Sequence, residues 1–84
     1  MADPDDVTDR LIRLITLHDK TAIDPSRITL SSTWSEIGLN ELDVCEICVE
    51  AEKEFNLWIP DEDMEKFLNL HDMVEWLCRN FYIQ

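Results

Sequence analysis

The chain has 84 residues, 45% of them apolar, with 19 acidic against 7 basic side chains and a formal net charge of −12. That length holds one core, so residues 1–84 read as a single domain, and the charge argues against direct nucleic-acid binding, which needs a basic face to displace counterions. No apolar run approaches the ~18–20 residues of a membrane span, so no direct membrane insertion is expected; the one glycine excludes glycine-rich phosphate loops.

Three Trp, three Phe and one Tyr separate the chain from acidic disordered sequences, which lack them. The acid is concentrated in the middle. Residues 1–35 carry six acids and four bases, residues 36–66 eleven and two, and residues 67–84 two and one. A patch of one sign steers oppositely charged partners, although acids also keep a small domain soluble.

Asp6, Thr8 or a neighbour is expected to cap a first helix on which Val7, Leu11, Leu14 and Ile15 share one face, ending near Asp19–Lys20. Residues 20–39 lack sustained periodicity, contain Pro25 and Gly38, and hold Ile23, Ile28, Leu30 and Trp34 as scattered anchors. Such a long loop is pinned by its own side chains or has a function. Asn40 reads as the N-cap of a second helix from Glu41 to about Phe55, with Asp43 at capping-box spacing. Pro60 favours an extended Ile59, and Asp61 is expected to cap a short third helix holding Met64, Phe67 and Leu68. Asn69 is expected to cap a last helix whose Leu70, Met73, Val74, Leu77, Cys78 and Phe81 recur at helical spacing. No segment alternates like a hairpin strand. The predicted class is all-α.

The second helix carries more apolar surface than one core contact needs. With Leu42 at zero and steps of about 100°, Val44, Ile47, Cys48, Ala51 and Phe55 fall between about 140° and 240°, an ordinary core stripe. Leu42, Cys45 and Val49 form a second strip between about 300° and 360°. Asp43, Glu46, Glu50, Lys53 and Glu54 occupy the polar arc, and Glu52 falls near 280° within the apolar one. Either the helix is buried on two sides or the second strip faces a partner. Glu46 and Glu52 flank the strip and favour the partner, because unpaired buried carboxylates are costly. A helix with apolar anchors framed by Arg or Lys would suit it.

The run Glu36-Ile-Gly-Leu-Asn-Glu-Leu-Asp43, then Glu46-Ile47, Glu52-Lys-Glu-Phe55, Ile59-Pro60-Asp61-Glu62-Asp63 and Glu65-Lys66, resembles the acyl carrier proteins over nearly the whole chain. Val7-Thr8-Asp9-Arg10 and Ile23-Asp24-Pro25 are most similar to the mitochondrial branch. The resemblance implies an acyl-carrier-like four-helix bundle with a long first loop and a short third helix.

It also implies a 4′-phosphopantetheine arm on the serine of an Asp-Ser-Leu motif at the start of the second helix. The corresponding triplet here is Asn40-Glu41-Leu42. Glutamate has no hydroxyl, and a carboxylate attacking phosphorus would give an acyl phosphate that water cleaves readily. Ser31, Ser32 and Ser35 lie upstream in the loop. No cofactor is therefore expected at Glu41, and the chain is expected to be no enzyme. Glu41 in the first turn gains ~0.3–1 kcal/mol from the helix dipole. Its charge either stands in for the missing phosphodiester or serves the helix alone. Met64, Phe67, Met73 and Trp76 are expected to fill the space in which carriers shelter an acyl chain.

By resemblance the expected role is a non-catalytic accessory subunit that docks a basic helical protein of the LYR class, foremost in mitochondrial respiratory complex I on the matrix side. The expected docking residues are Asn40, Glu41, Leu42, Asp43, Cys45, Glu46, Val49 and Glu52. The alternatives are a working carrier in fatty acid synthesis modified at another residue, an adaptor in mitochondrial ribosome or iron–sulfur assembly, and a free-standing bacterial regulator. No Arg-rich, acid-poor transit segment opens the chain, so a matrix location implies cleavage or an incomplete start.

Other chemistry has weaker support. Cys45 and Cys48 form C-x-x-C, but only Cys78, His18 and His71 remain as further zinc ligands, far apart in sequence, so no metal is expected. Three free thiols point to a reducing compartment. Asp61-Glu62-Asp63 lacks the glycine and ligand spacing of a calcium loop. His18 and His71 read as surface or helix-end residues.

Overall fold

The computed structural model describes residues 3–18 and 24–81, and among them every regular element is helical. Helix α1 spans Pro4–Leu17. Its cap is Asp3, whose carboxylate accepts the Asp5 N–H at 3.0 Å, and Pro4 follows in the first helical turn. Proline there forgoes an N–H that no helical carbonyl would have met. The start thus lies ahead of the Asp6 or Thr8 expected, and the end falls at Leu17, before Asp19–Lys20, which lie outside the described residues, as does Ile23. Val7, Leu11 and Ile15 form its fully buried stripe.

The long loop has structure of its own. A 3-10 turn covers Pro25–Arg27, and a one-turn helix, α2, spans Trp34–Ile37. Thr33 caps α2 in a capping box: its hydroxyl accepts the Glu36 N–H at 3.3 Å while the Glu36 carboxylate accepts the Thr33 N–H at 3.1 Å. The Thr33 backbone N–H first, and its hydroxyl second (2.9 Å), donate to the Glu36 carboxylate and hold it below the usual carboxylate range. Gly38 ends the turn at φ 94°, a left-handed conformation that side chains with a Cβ resist.

Ile28, Ile37 and Leu39 go into the core, which is what anchors the loop. Backbone bonds from His71 N–H to Leu30 C=O (2.9 Å) and a bridge between Thr33 and Asn69 tie it to the start of the last helix.

Helix α3 spans Glu41–Phe55, as the sequence predicts, behind an Asn40–Asp43 capping box. It ends at Asn56, whose φ of 51° is left-handed; asparagine tolerates that geometry better than other non-glycine residues. Helix α4 is the short one, Asp61–Met64. Asp61 is its first helical residue and not its cap: Pro60 precedes it and no side chain caps the turn. Phe67 and Leu68 fall beyond its end. Helix α5 spans Leu70–Asn80, capped by Asn69, whose side-chain oxygen accepts the Asp72 N–H at 2.9 Å.

Helix α1 packs against both α3 and α5. The core joins the α1 stripe to Val44, Ile47, Cys48, Ala51 and Phe55 of α3 and Leu70, Met73, Val74, Leu77 and Cys78 of α5. The result is an all-α, acyl-carrier-like arrangement with three long helices and the short α4, plus the turn α2 within the loop.

Candidate functional site

The start of α3 is the functional candidate. Asn40 N–H donates to Asp43 Oδ2 at 3.0 Å, and Asp43 N–H donates to Asn40 Oδ1 at 2.9 Å. The box fixes the first turn and leaves Glu41 and Leu42 pointing to solvent, Leu42 at 61% exposure. Between α2, the start of α3 and α4 lies an open cleft of about 990 Å³. Its walls include Trp34, Leu39, Val44, Met64 and Phe67, while Asn40, Glu41, Asp61 and Glu65 bring polar groups.

Large side chains therefore do not close the whole interior. Met73 is fully buried and Phe67 stacks edge-on to Trp76 at 6.2 Å, but Met64 and Phe67 line this cleft and do not fill it. The expectation that these residues eliminate the space is corrected to that extent.

The eight expected docking residues separate into groups. Asn40, Glu41 and Cys45 line the cleft. Glu46 and Val49 line a second hollow of about 390 Å³ on the other flank of α3, with Leu14, Leu17 and His18 of the α1 end. Leu42, Cys45 and Val49 are exposed, as the second apolar strip requires. Two acids have inward work. Asp43 is not on the outer face: it is 2% exposed, sits beside the core stripe, and holds Asn40 and His18. Its position at about 100° on the wheel adjoins the core arc, and the polar partners in reach make burial tolerable. Glu52 is half-buried, and its Oε2 accepts the N–H of the fully buried Ile59 at 2.9 Å.

Sequence reasoning missed two contributors. Trp34 belongs to a cleft wall because its indole N–H donates to Phe67 C=O at 2.8 Å; the Thr33-x-x-Glu36 box followed by Gly38 was the readable signal for α2. His18 approaches α3 from 25 residues upstream, and no local spacing announces that.

The thiols show no paired chemistry. Cys45 is exposed, whereas Cys48 is buried and its thiol is pushed up to about 12, by burial first and by Cys45 and Glu52 second. Burial likewise raises Cys78. Because only the thiolate is nucleophilic, a thiol reagent at about pH 8 should label Cys45 alone in the folded chain and all three cysteines after denaturation. Counting labelled thiols by intact mass checks this, and equally fast labelling of Cys48 contradicts it.

A helical domain with a long tethered loop, a capped central helix and a cleft at that helix's start is the architecture of a carrier domain. The chain matches the family described as "Phosphopantetheine attachment site" over residues 10–77. It is 30% identical over 76 residues to a chain named as a mitochondrial acyl carrier protein in Schizosaccharomyces pombe, covering 89% of this chain and 67% of that one. It is 33% identical over 72 residues to the mitochondrial acyl carrier protein of Dictyostelium discoideum, covering 86% of this chain and 58% of the relative. It is 36% identical over 65 residues to an acyl carrier protein of Clostridium perfringens, covering 76% and 86%. The chain belongs to the acyl carrier protein family.

The residues at the start of α3 do not fit the group that gives the family model its description. Asn40, Glu41 and Leu42 offer no hydroxyl, and no serine or threonine follows Ser35 anywhere in the sequence. Thr33 and Ser35 reach the cleft, but the Thr33 hydroxyl is engaged with Glu36 and lies 3.4 Å from that of Ser35.

Proposed function

We propose that this protein is a non-catalytic acyl-carrier-like subunit that binds a basic helical partner through α3. One observation carries the reading: the start of α3 is capped and exposed, and Glu41 in its first turn offers no hydroxyl. What remains there is an anionic, apolar-studded surface. Glu41 and Glu46 offer charge, and Leu42, Cys45 and Val49 offer exposed anchors; Asp43 and Glu52 support the helix from inside. A helix bearing Arg or Lys around apolar residues is complementary to it.

The names of two relatives support a mitochondrial location, and the resemblance to that branch supports a LYR-type partner within respiratory complex I. A working carrier modified at another residue is the second reading. The cleft of about 990 Å³ and the family match favour it.

Two measurements separate these readings. Incubation with coenzyme A and a broad phosphopantetheinyl transferase should leave the intact mass unchanged; a stable adduct removable by phosphodiesterase would support the carrier reading. Pull-down from mitochondrial extract should recover a small basic helical protein. Glu41→Gln should weaken that complex severalfold, more than it lowers helix stability, and equal affinity would remove Glu41 from the contact.

A further inference from the structure

The end of α1 and the start of α3 meet at three metal-competent side chains. His18, the C-cap residue of α1, places Nε2 3.1 Å from Asp43 Oδ1 and 3.8 Å from Glu46 Oε2. One donor atom from each of the three residues lies within 4.8 Å of the others. Asp43 and Glu46 are three residues apart on α3, so their carboxylates emerge on one face. Asn40 N–H holds the other Asp43 oxygen at 3.0 Å and fixes the carboxylate's orientation.

We propose that His18, Asp43 and Glu46 form a binding site for one divalent cation of the zinc class, through Nε2, Oδ1 and Oε2, with water completing the shell. Tetrahedral zinc with bonds near 2.0–2.1 Å sets its ligand atoms about 3.3 Å apart. The His18–Asp43 separation is already close to that value, and the His18–Glu46 separation has to shorten by roughly half an ångström. The side chains divide that task. Those of His18 and Asp43 are 13% and 2% exposed and held in place, whereas that of Glu46 is 51% exposed and free to swing inward.

The hollow of about 390 Å³, lined by His18 and Glu46, supplies an entry path and room for water ligands. An imidazole in the donor set disfavours calcium and magnesium, which take oxygen ligands; a nitrogen with two carboxylates suits zinc, cobalt or nickel. The two carboxylates match the charge of a divalent ion, and the surplus acid of residues 36–66 raises cation concentration nearby. Binding replaces the His18–Asp43 hydrogen bond: the ring coordinates through Nε2 as a neutral imidazole with its proton on Nδ1, so a proton on Nε2 is given up to water while Nδ1 keeps or takes up one.

The test uses the full, tag-free chain and a Cys45→Ser version that removes the exposed thiol as a competing ligand. Calorimetric titration with zinc chloride in excess magnesium should give one zinc per chain in both. His18→Gln and Glu46→Gln, each shown to be folded by circular dichroism, should weaken binding at least tenfold. Cobalt should give the visible bands of a four-coordinate nitrogen–oxygen site without a thiolate charge-transfer band. No binding up to on the order of 0.1 mM zinc would reduce the cluster to an ion pair and overturn the proposal. Unchanged affinity in both variants, or a thiolate band, would overturn it as well.

Discussion

The double substitution Asn40→Asp, Glu41→Ser should convert the chain from one that a phosphopantetheinyl transferase leaves unmodified to one that it modifies to completion. Position 41 is exposed at the first turn of α3, where the capping box already sets the backbone. A serine there would supply an oxygen able to form a stable phosphodiester, which Glu41 does not offer. The structural cost is small. Losing the Glu41 charge forfeits ~0.3–1 kcal/mol of helix-dipole interaction, and aspartate replaces asparagine as an equally good N-cap. Intact mass reads the outcome as all or none. A double variant that stays unmodified would show that recognition fails elsewhere on the surface, and Glu41 would lose its standing as the decisive departure.

Phe55→Ala should remove a large share of the fold's stability. Phe55 is 1% exposed at the end of α3, meets Phe81 edge-on at 5.2 Å, and has the Arg10 guanidinium 4.8 Å above its ring. Removing such a ring costs about 3–5 kcal/mol. A chain of this length has a total stability of roughly 4–13 kcal/mol. Leu42→Ala is the matching control: at 61% exposure it should change stability by no more than about 0.5 kcal/mol. Urea denaturation followed by circular dichroism compares them. A large loss at Leu42 would mean that the second strip is part of the core.

The helices that carry long periodic stripes were legible from sequence, and so was the capping chemistry of Asn40 and Asn69. Their signals are local: spacing along a face and a polar residue just before it. The exact start of α1 was not, because Asp3-Pro4 competes with Asp6 and Thr8 as a plausible beginning, and only the backbone decides among them. The loop before α3 reads from sequence as pinned but non-periodic, and its one-turn helix is invisible to periodicity because so short an element has no room for it; the Thr33–Glu36 box is the signal that marks it. Asp43 shows the deeper limit. On a helical wheel it borders the core arc, and whether a carboxylate there turns outward or inward depends on a partner from another helix. His18 supplies that partner, and nothing in the local pattern of either segment encodes the meeting. The cleft is illegible for a related reason: its walls come from three separate stretches of chain, so residue size alone suggests that Met64 and Phe67 fill the space they in fact line.

The indole N–H of Trp34, bonded to the Phe67 carbonyl, has a practical consequence. It fixes a fluorophore in the wall of the cleft, while Trp58, 74% exposed, sits outside it as a solvent-quenchable reference. The domain thus carries its own optical gauge of cleft occupancy, and Trp58→Phe together with Trp76→Phe would isolate the Trp34 signal without any added dye.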